Sequence, residues 1–179
     1  MMRIFVAVGL TSEAKAHVLE VQLHLKREFP NLSWTRQEGF HLTLSFIGER
    51  SLGDVNRIIN TLDSVTWPAA FPLTLEQLGL FGSSKHPRIL FLGPGRGTEK
   101  LKRLGGTVRE ALGQEQAFVP HLTLARFRNS GGDGIQSRLG PLAQPIMAPV
   151  DKATLYESIL AGAPRYRPIK SWLLKGDQK

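Results

Sequence analysis

His41-Leu42-Thr43-Leu44 recurs, unchanged, as His121-Leu122-Thr123-Leu124. Side chains of an extended strand alternate between faces with period 2, so in each copy the histidine and threonine share one face and the two leucines the other. A hydrophobic core accepts the leucine face. Imidazoles and hydroxyls buried in the same way would each need a partner or lose desolvation energy. A cleft satisfies both faces, with the leucines packed beneath it and two histidines and two threonines lining it.

Outward from the two motifs the chain follows a repeated grammar. Arg3 to Gly9 reads as an apolar strand, and Ser12 to Phe29 as a helix with Val18, Val21 and Leu25 at helical spacing, stopped by Pro30-Asn31. Residues 40–47 form the first motif strand. Ser51 caps a second helix, with Asp54 in a capping-box position and Val55, Ile58 and Leu62 facing inward, until Trp67-Pro68 breaks it. Phe71 to Leu78 and Arg88 to Leu92 read as an antiparallel pair around the loop Phe81 to Pro87. Thr98 is placed to cap a third helix through Leu101, Leu104, Val108 and Leu112, closed by Gly113. The Gly105-Gly106 pair inside it reads as a close-packing or kink site. Residues 117–127 form the second motif strand, residues 130–134 a loop, and Ala153 to Leu160 and Pro168 to Leu174 closing strands.

This pattern predicts an α+β fold of two pseudo-symmetric lobes, each an antiparallel sheet with outer helices, flanking a central cleft. Residues 1–179 are expected to form a single domain, bilobal by internal duplication, with one motif strand per lobe. A cleft completed within one chain makes a monomer sufficient and requires no protein partner.

Composition narrows the function classes. The chain is 41% hydrophobic and 21% charged, as a globular protein is, and no apolar run approaches the length needed to span a bilayer. Its start, Met1-Met2-Arg3-Ile4-Phe5-Val6-Ala7-Val8, is too short and strand-like for a signal peptide, so the expected compartment is the cytoplasm. The absence of cysteine excludes disulfides, thiol nucleophiles and cysteine-ligated metals. Lys and Arg number 23 against 15 Asp and Glu, a net charge of +8, which favours a polyanionic partner.

Two imidazoles facing one cleft suit acid–base work near neutrality, because a free imidazole titrates at about 6.5 and one ring can be neutral while the other is charged. Phosphodiester cleavage needs such a pair: one group takes a proton from the nucleophile and the other gives one to the leaving oxygen. The threonine hydroxyls are donors for the non-bridging phosphate oxygens. Neither motif carries a carboxylate at ligand spacing, and a catalytic zinc wants three protein ligands, so no metal or cofactor is expected. A lone His-x-Thr is usually structural; two identical copies in matching strand contexts point to an active site.

With these residues in place, the chain resembles the two-histidine phosphoesterase superfamily. Within it, the chain resembles the bacterial and archaeal RNA 2′,3′-cyclic phosphodiesterase family, also named for a 2′-5′ RNA ligase activity. The resemblance spans Arg3-Ile4-Phe5-Val6-Ala7, Phe40 through Glu49, Pro87 through Gly93, Pro120-His121-Leu122-Thr123-Leu124-Ala125-Arg126, and Leu155-Tyr156-Glu157-Ser158. It implies metal-independent hydrolysis of a 2′,3′-cyclic phosphate at an RNA end to a 2′-phosphate, and reversible joining of RNA ends through 2′-5′ linkages. It further implies His41 as proton donor and His121 as proton acceptor, an order that pseudo-symmetry leaves open to exchange. Thr43, Thr123 and Arg126 would hold the phosphate, Phe46 would lie beside the nucleobase, and Tyr156 would lie near the cleft.

Strand parity complicates two of these positions. Counting by twos from His121 puts Arg126 on the opposite face, so it reaches the cleft only if the strand ends or bulges there. Phe46 stands in the same relation to His41, which sets core packing against a base contact. Trp34, beside Arg36, either stacks on a terminal base or fills the core. Two other functions compete with the leading reading. One is the same chemistry on a small nucleotide such as ADP-ribose 1″,2″-cyclic phosphate; the other is an RNA-end binding module without turnover.

Overall fold

The two motif strands lie side by side at the middle of a nine-stranded sheet. The computed structural model of the chain describes residues 1–83, 85–115, 118–128, 134–159 and 165–176. In chain order the elements are β1 (Met2–Gly9), α1 (Ser12–Glu28), β2 (Ser33–Trp34), β3 (His41–Arg50), α2 (Leu52–Asp63), β4 (Thr74–Gly82), β5 (Pro87–Pro94), α3 (Thr98–Ala111), β6 (Leu122–Arg126), β7 (Gly140–Met147), β8 (Lys152–Ser158) and β9 (Tyr166–Leu173). The sheet order is β7-β4-β5-β6-β3-β1-β8-β9, with β2 added to β6. Each motif strand therefore leads an outward run of antiparallel strands, β3-β1-β8-β9 on one side and β6-β5-β4-β7 on the other. The duplicated unit is strand, helix, motif strand: β1-α1-β3 in one half and β5-α3-β6 in the other.

The two motif strands pair at one register position, Leu42 opposite Leu122. These are the same position of the two motifs, which places the pseudo-twofold axis between them. Antiparallel register then sets His41 toward Thr123 and Thr43 toward His121. Beneath the sheet, Leu42, Leu44, Leu122 and Leu124 are no more than 1% exposed and belong to one buried apolar cluster with residues of both halves.

Local sequence explains the helix ends. Thr11 caps α1 by accepting from the Ala14 amide at 3.2 Å, and Ser51 and Asp54 close the capping box that begins α2. The third helix differs from expectation: its cap is Gly97, at φ 89°, and the Thr98 hydroxyl instead donates to the carbonyls of Gly95 and Pro94. A Cβ at Gly97 would lie 2.4 Å from the Pro72 carbonyl oxygen, so close approach as well as left-handed backbone requires glycine there. The close-packing reading of the glycine pair holds at Gly105, where a Cβ would meet Phe118 and Arg109 at 2.9 Å, but Gly106 has open space.

Other boundaries shift for physical reasons. Helix α2 stops at Asp63, ahead of the Trp67-Pro68 break, and the strand expected from Phe71 begins at Thr74, Phe71 forming only an isolated bridge to Val150. Strand β7 was not legible, because Pro141 and Pro145 read as breakers; at the sheet edge a proline's missing N–H needs no partner. Ala117, the loop residues 130–133 and Leu160 lie outside the described residues. Among the described residues no helix is long and apolar enough to cross a membrane.

The junction pair sets a stability expectation. Leu122→Ala removes a side chain with no exposed surface at the seam between halves, and a loss of about 3 kcal/mol is expected in urea unfolding. Leu42→Ala should cost a similar amount, because the pseudo-twofold gives it the same surroundings.

Candidate active site

Each motif strand carries a β-bulge at the same place. Along β1, the neighbours Ala7 and Val6 pair with Thr43 and Ser45, leaving Leu44 as the extra residue of β3. Along β5, Phe91 and Leu90 pair with Thr123 and Ala125, leaving Leu124 as the extra residue of β6. An extra residue reverses the alternation beyond it. Arg126 is thereby turned onto the face of His121 and lines the cleft. Phe46, its counterpart in β3, is turned onto the face of His41, 44% exposed, with the Arg3 guanidinium 5.0 Å from its ring centroid. The core-packing reading of Phe46 is thus corrected: simple parity fails past Leu44.

The cleft has a volume of about 460 Å³, and His41, Thr43, His121, Thr123 and Arg126 all line it. Both imidazoles are fixed in the same way. Nδ1 of His41 lies 2.8 Å from the Gly39 carbonyl oxygen, and Nδ1 of His121 lies 2.8 Å from that of Val119. A carbonyl only accepts, so each Nδ1 carries a proton, and in the neutral ring each Nε2 is left as an acceptor. The Thr43 hydroxyl lies 3.1 Å from His41 Nε2 and donates to it in the neutral ring.

Aromatic walls make the surroundings of the rings apolar. Phe5 and Tyr166 stand 4.9 and 5.0 Å from the His41 ring, and Phe81 and Phe91 stand 4.8 and 5.8 Å from that of His121. Burial pushes the His41 pKa down to about 4, with the charges of His121 and Arg126 acting in the same direction against the Gly39 hydrogen bond. His121 is also lowered, first by burial, and with Arg126 again contributing. The two rings are therefore unequal: His41 is the more desolvated and His121 the less buried.

Trp34 fits neither of its two readings alone. Its indole N–H donates to the Phe29 carbonyl at 3.1 Å, and the half-buried ring packs on the core while also lining the cleft. Tyr156 is not brought to the cleft surface; it stacks behind Phe5 at 5.4 Å, one ring removed from His41. Tyr166, from the closing strand β9, takes the place at the wall, and nothing in its local sequence marked it. Arg36, Arg128 and Arg165 join Arg126 around the cleft, with Glu38 the one carboxylate among the described lining residues. Among the described residues none of these four arginines is paired with a carboxylate, and no three acidic or histidine side chains gather at metal-ligand spacing.

Comparison with known proteins finds relatives in sequence and in fold. The LigT-like phosphoesterase family model matches residues 8–91, which include the first motif. An RNA 2′,3′-cyclic phosphodiesterase of Geobacillus stearothermophilus is 31% identical over 96% of the chain, which spans 57% of that protein's length. One of Archaeoglobus fulgidus is 30% identical over 71% of the chain and 73% of its own length. A Thermus thermophilus protein of known crystal structure superposes with a TM-score of 0.83 at 26% identity, covering 98% of this chain and 100% of that one.

The histidine pKa has a consequence for stability. An unfolded His41 takes up a proton near pH 6.5, whereas the folded ring stays neutral until about 4, so acid favours the unfolded chain within that window. On lowering the pH from 6.5 to 4, the parent should lose on the order of 2 kcal/mol more than His41→Gln, the full shift being discounted for solvent at the cleft. Denaturant unfolding at a series of pH values measures this, and histidine NMR should place the His41 midpoint near 4.

Proposed function

The chain belongs to the LigT-like phosphoesterase family, that of the RNA 2′,3′-cyclic phosphodiesterases, and from this we propose that it opens 2′,3′-cyclic phosphates at RNA ends to 2′-phosphates. The observation that carries the reading is the symmetric pair of imidazoles, each with Nδ1 tied to a backbone carbonyl and Nε2 left for proton transfer.

In this reading water attacks phosphorus in line with the P–O3′ bond. His121 Nε2, at the more open side where water enters, takes the water's proton. His41 Nε2–H protonates O3′ as that bond breaks, leaving the phosphate on O2′. Desolvation makes the His41 imidazolium a strong acid, matched to a poor alkoxide leaving group. The negative charge of the bound phosphate, placed between the rings, favours the proton that the free site disfavours. Thr43, Thr123 and Arg126 hold the non-bridging oxygens, and Phe46 lies beside the terminal base. None of these steps calls for a metal or cofactor.

If a 5′-hydroxyl replaces water, the same displacement of O3′ leaves phosphorus bridging O2′ and O5′, a 2′-5′ linkage. The reverse step exchanges the acid and base roles of the histidines. Four arginines without carboxylate partners favour a polynucleotide over a small cyclic nucleotide, since they offer more positive charge than one phosphate uses.

The first test is incubation of the EDTA-treated protein with a short RNA ending in a 2′,3′-cyclic phosphate, with the 2′- and 3′-phosphate products resolved. The expected product is the 2′-phosphate, reduced by about 10²- to 10⁴-fold in His41→Ala and in His121→Ala. A 3′-phosphate, or undiminished turnover by either variant, overturns the reading. A substrate with sulfur in place of O3′ needs no acid, so it should restore His41→Ala and not His121→Ala; the opposite pattern exchanges their roles. For the parent, kcat/KM should be bell-shaped, falling as pH drops through about 4 and falling again at a pH below 6.5, because both free-site pKa values are lowered.

A further inference from the structure

A bulge leaves its extra residue outside the ladder, so that residue's backbone groups must find partners elsewhere. In both motif strands a side chain from the helix of the opposite half donates to the extra residue's carbonyl. Gln22 of α1, only 4% exposed, donates from Nε2 to the Leu124 carbonyl of β6 at 3.0 Å. The same nitrogen donates to the Thr35 carbonyl at 2.7 Å, and the Thr35 amide donates to Leu124 at 2.9 Å. Arg109 of α3 donates from Nη1 to the Leu44 carbonyl of β3 at 3.2 Å, with its guanidinium 4.7 Å from the centroid of the Phe118 ring. The helix that follows β1 thus holds the bulge in β6, and the helix that follows β5 holds the bulge in β3.

We propose that Gln22 and Arg109 are positioning residues, which fix the two bulges and so keep Arg126 and Phe46 on the cleft face. The bulges are what turn those two side chains toward the histidines, and a ladder without them would send both into the leucine face. Gln22 acts on a second cleft component as well, because Thr35 lies between Trp34 and Arg36, all three lining the cleft. Neither Gln22 nor Arg109 lines the cleft itself, so each acts through the backbone. The inference rests on the reading of Arg126 as a phosphate contact and Phe46 as a base contact.

The test is a double-mutant cycle in the full chain, with Gln22→Met, Arg126→Ala and the pair. Gln22→Met keeps the length of the side chain and removes both donors. The readouts are KM for the cyclic-phosphate RNA and, independently, affinity for inorganic phosphate by calorimetry. Gln22→Met should raise KM and weaken phosphate binding by about fivefold in the parent, and by less than about twofold once Arg126 is alanine. Equal losses in both backgrounds would mean that Gln22 serves stability alone and would overturn the proposal, as would no loss in the parent. If Gln22→Met does not fold, Arg109→Met with Phe46→Ala gives the corresponding cycle from the other half, read by KM for the RNA and by calorimetry with 2′-AMP, which carries the base that inorganic phosphate lacks, and Arg109→Lys, which keeps a donor, should recover part of the loss. Absence of turnover by the parent would overturn the cyclic-phosphate reading, and the calorimetric cycle would still decide the positioning role.

Discussion

The leucine pair between β3 and β6 is the contact on which the remaining geometry depends. Leu42 faces Leu122 at the one register position the two strands share, and both are sealed from solvent. Because the two strands are antiparallel and carry the same four residues, pairing at equivalent positions sets the motifs head to tail. One strand's histidine is brought beside the other strand's threonine, and both imidazoles line one cleft. Burial of the leucines supplies the driving force, at roughly 1.5–3 kcal/mol for each side chain removed from water. The polar face then lies in the cleft because the apolar face fills the core.

The second constraint is the bulge. A period-2 strand presents every second residue, so an unbroken motif strand offers the cleft one histidine, one threonine and a short third residue. Inserting Leu44 and Leu124 lets the strand keep its leucines buried and also turn a long side chain onto the histidine face from the next turn of the pleat. The duplication shares the device but not the cargo: β3 delivers an aromatic ring and β6 a guanidinium.

Exchange of helices between halves ties these features into one body. Helix α3 packs against β3, and α1 lies against β7 and reaches β6 through Gln22. Each motif strand is therefore held by its own sheet partners on one side and by the opposite half's helix beneath. The electrostatic consequence appears at the histidines. Burial and neighbouring positive charge lower the pKa of both rings, so the cleft's positive charge rests chiefly on arginines.

The repeated tetrapeptide, by itself, determined that two strands present histidine and threonine on one face and leucine on the other. It also pointed to two halves of like strand-helix-strand order and to a cleft lined by the shared face. Those conclusions rest on period-2 alternation and the cost of burying polar groups, which are local rules. The capping box at Ser51 was legible for the same reason. Tertiary structure decided what local rules do not carry. Whether Arg126 and Phe46 share the face of the histidines depends on one extra residue in each ladder, and a bulge is defined by the strand opposite, not by the strand that contains it. Tyr166 reaches the wall, and Tyr156 stands behind Phe5, because β8 and β9 return from the far end of the chain to the first half's sheet. The inequality of His41 and His121, identical in local sequence, likewise comes from distant residues packed around them, since desolvation depends on everything within several ångströms and not on neighbours along the chain.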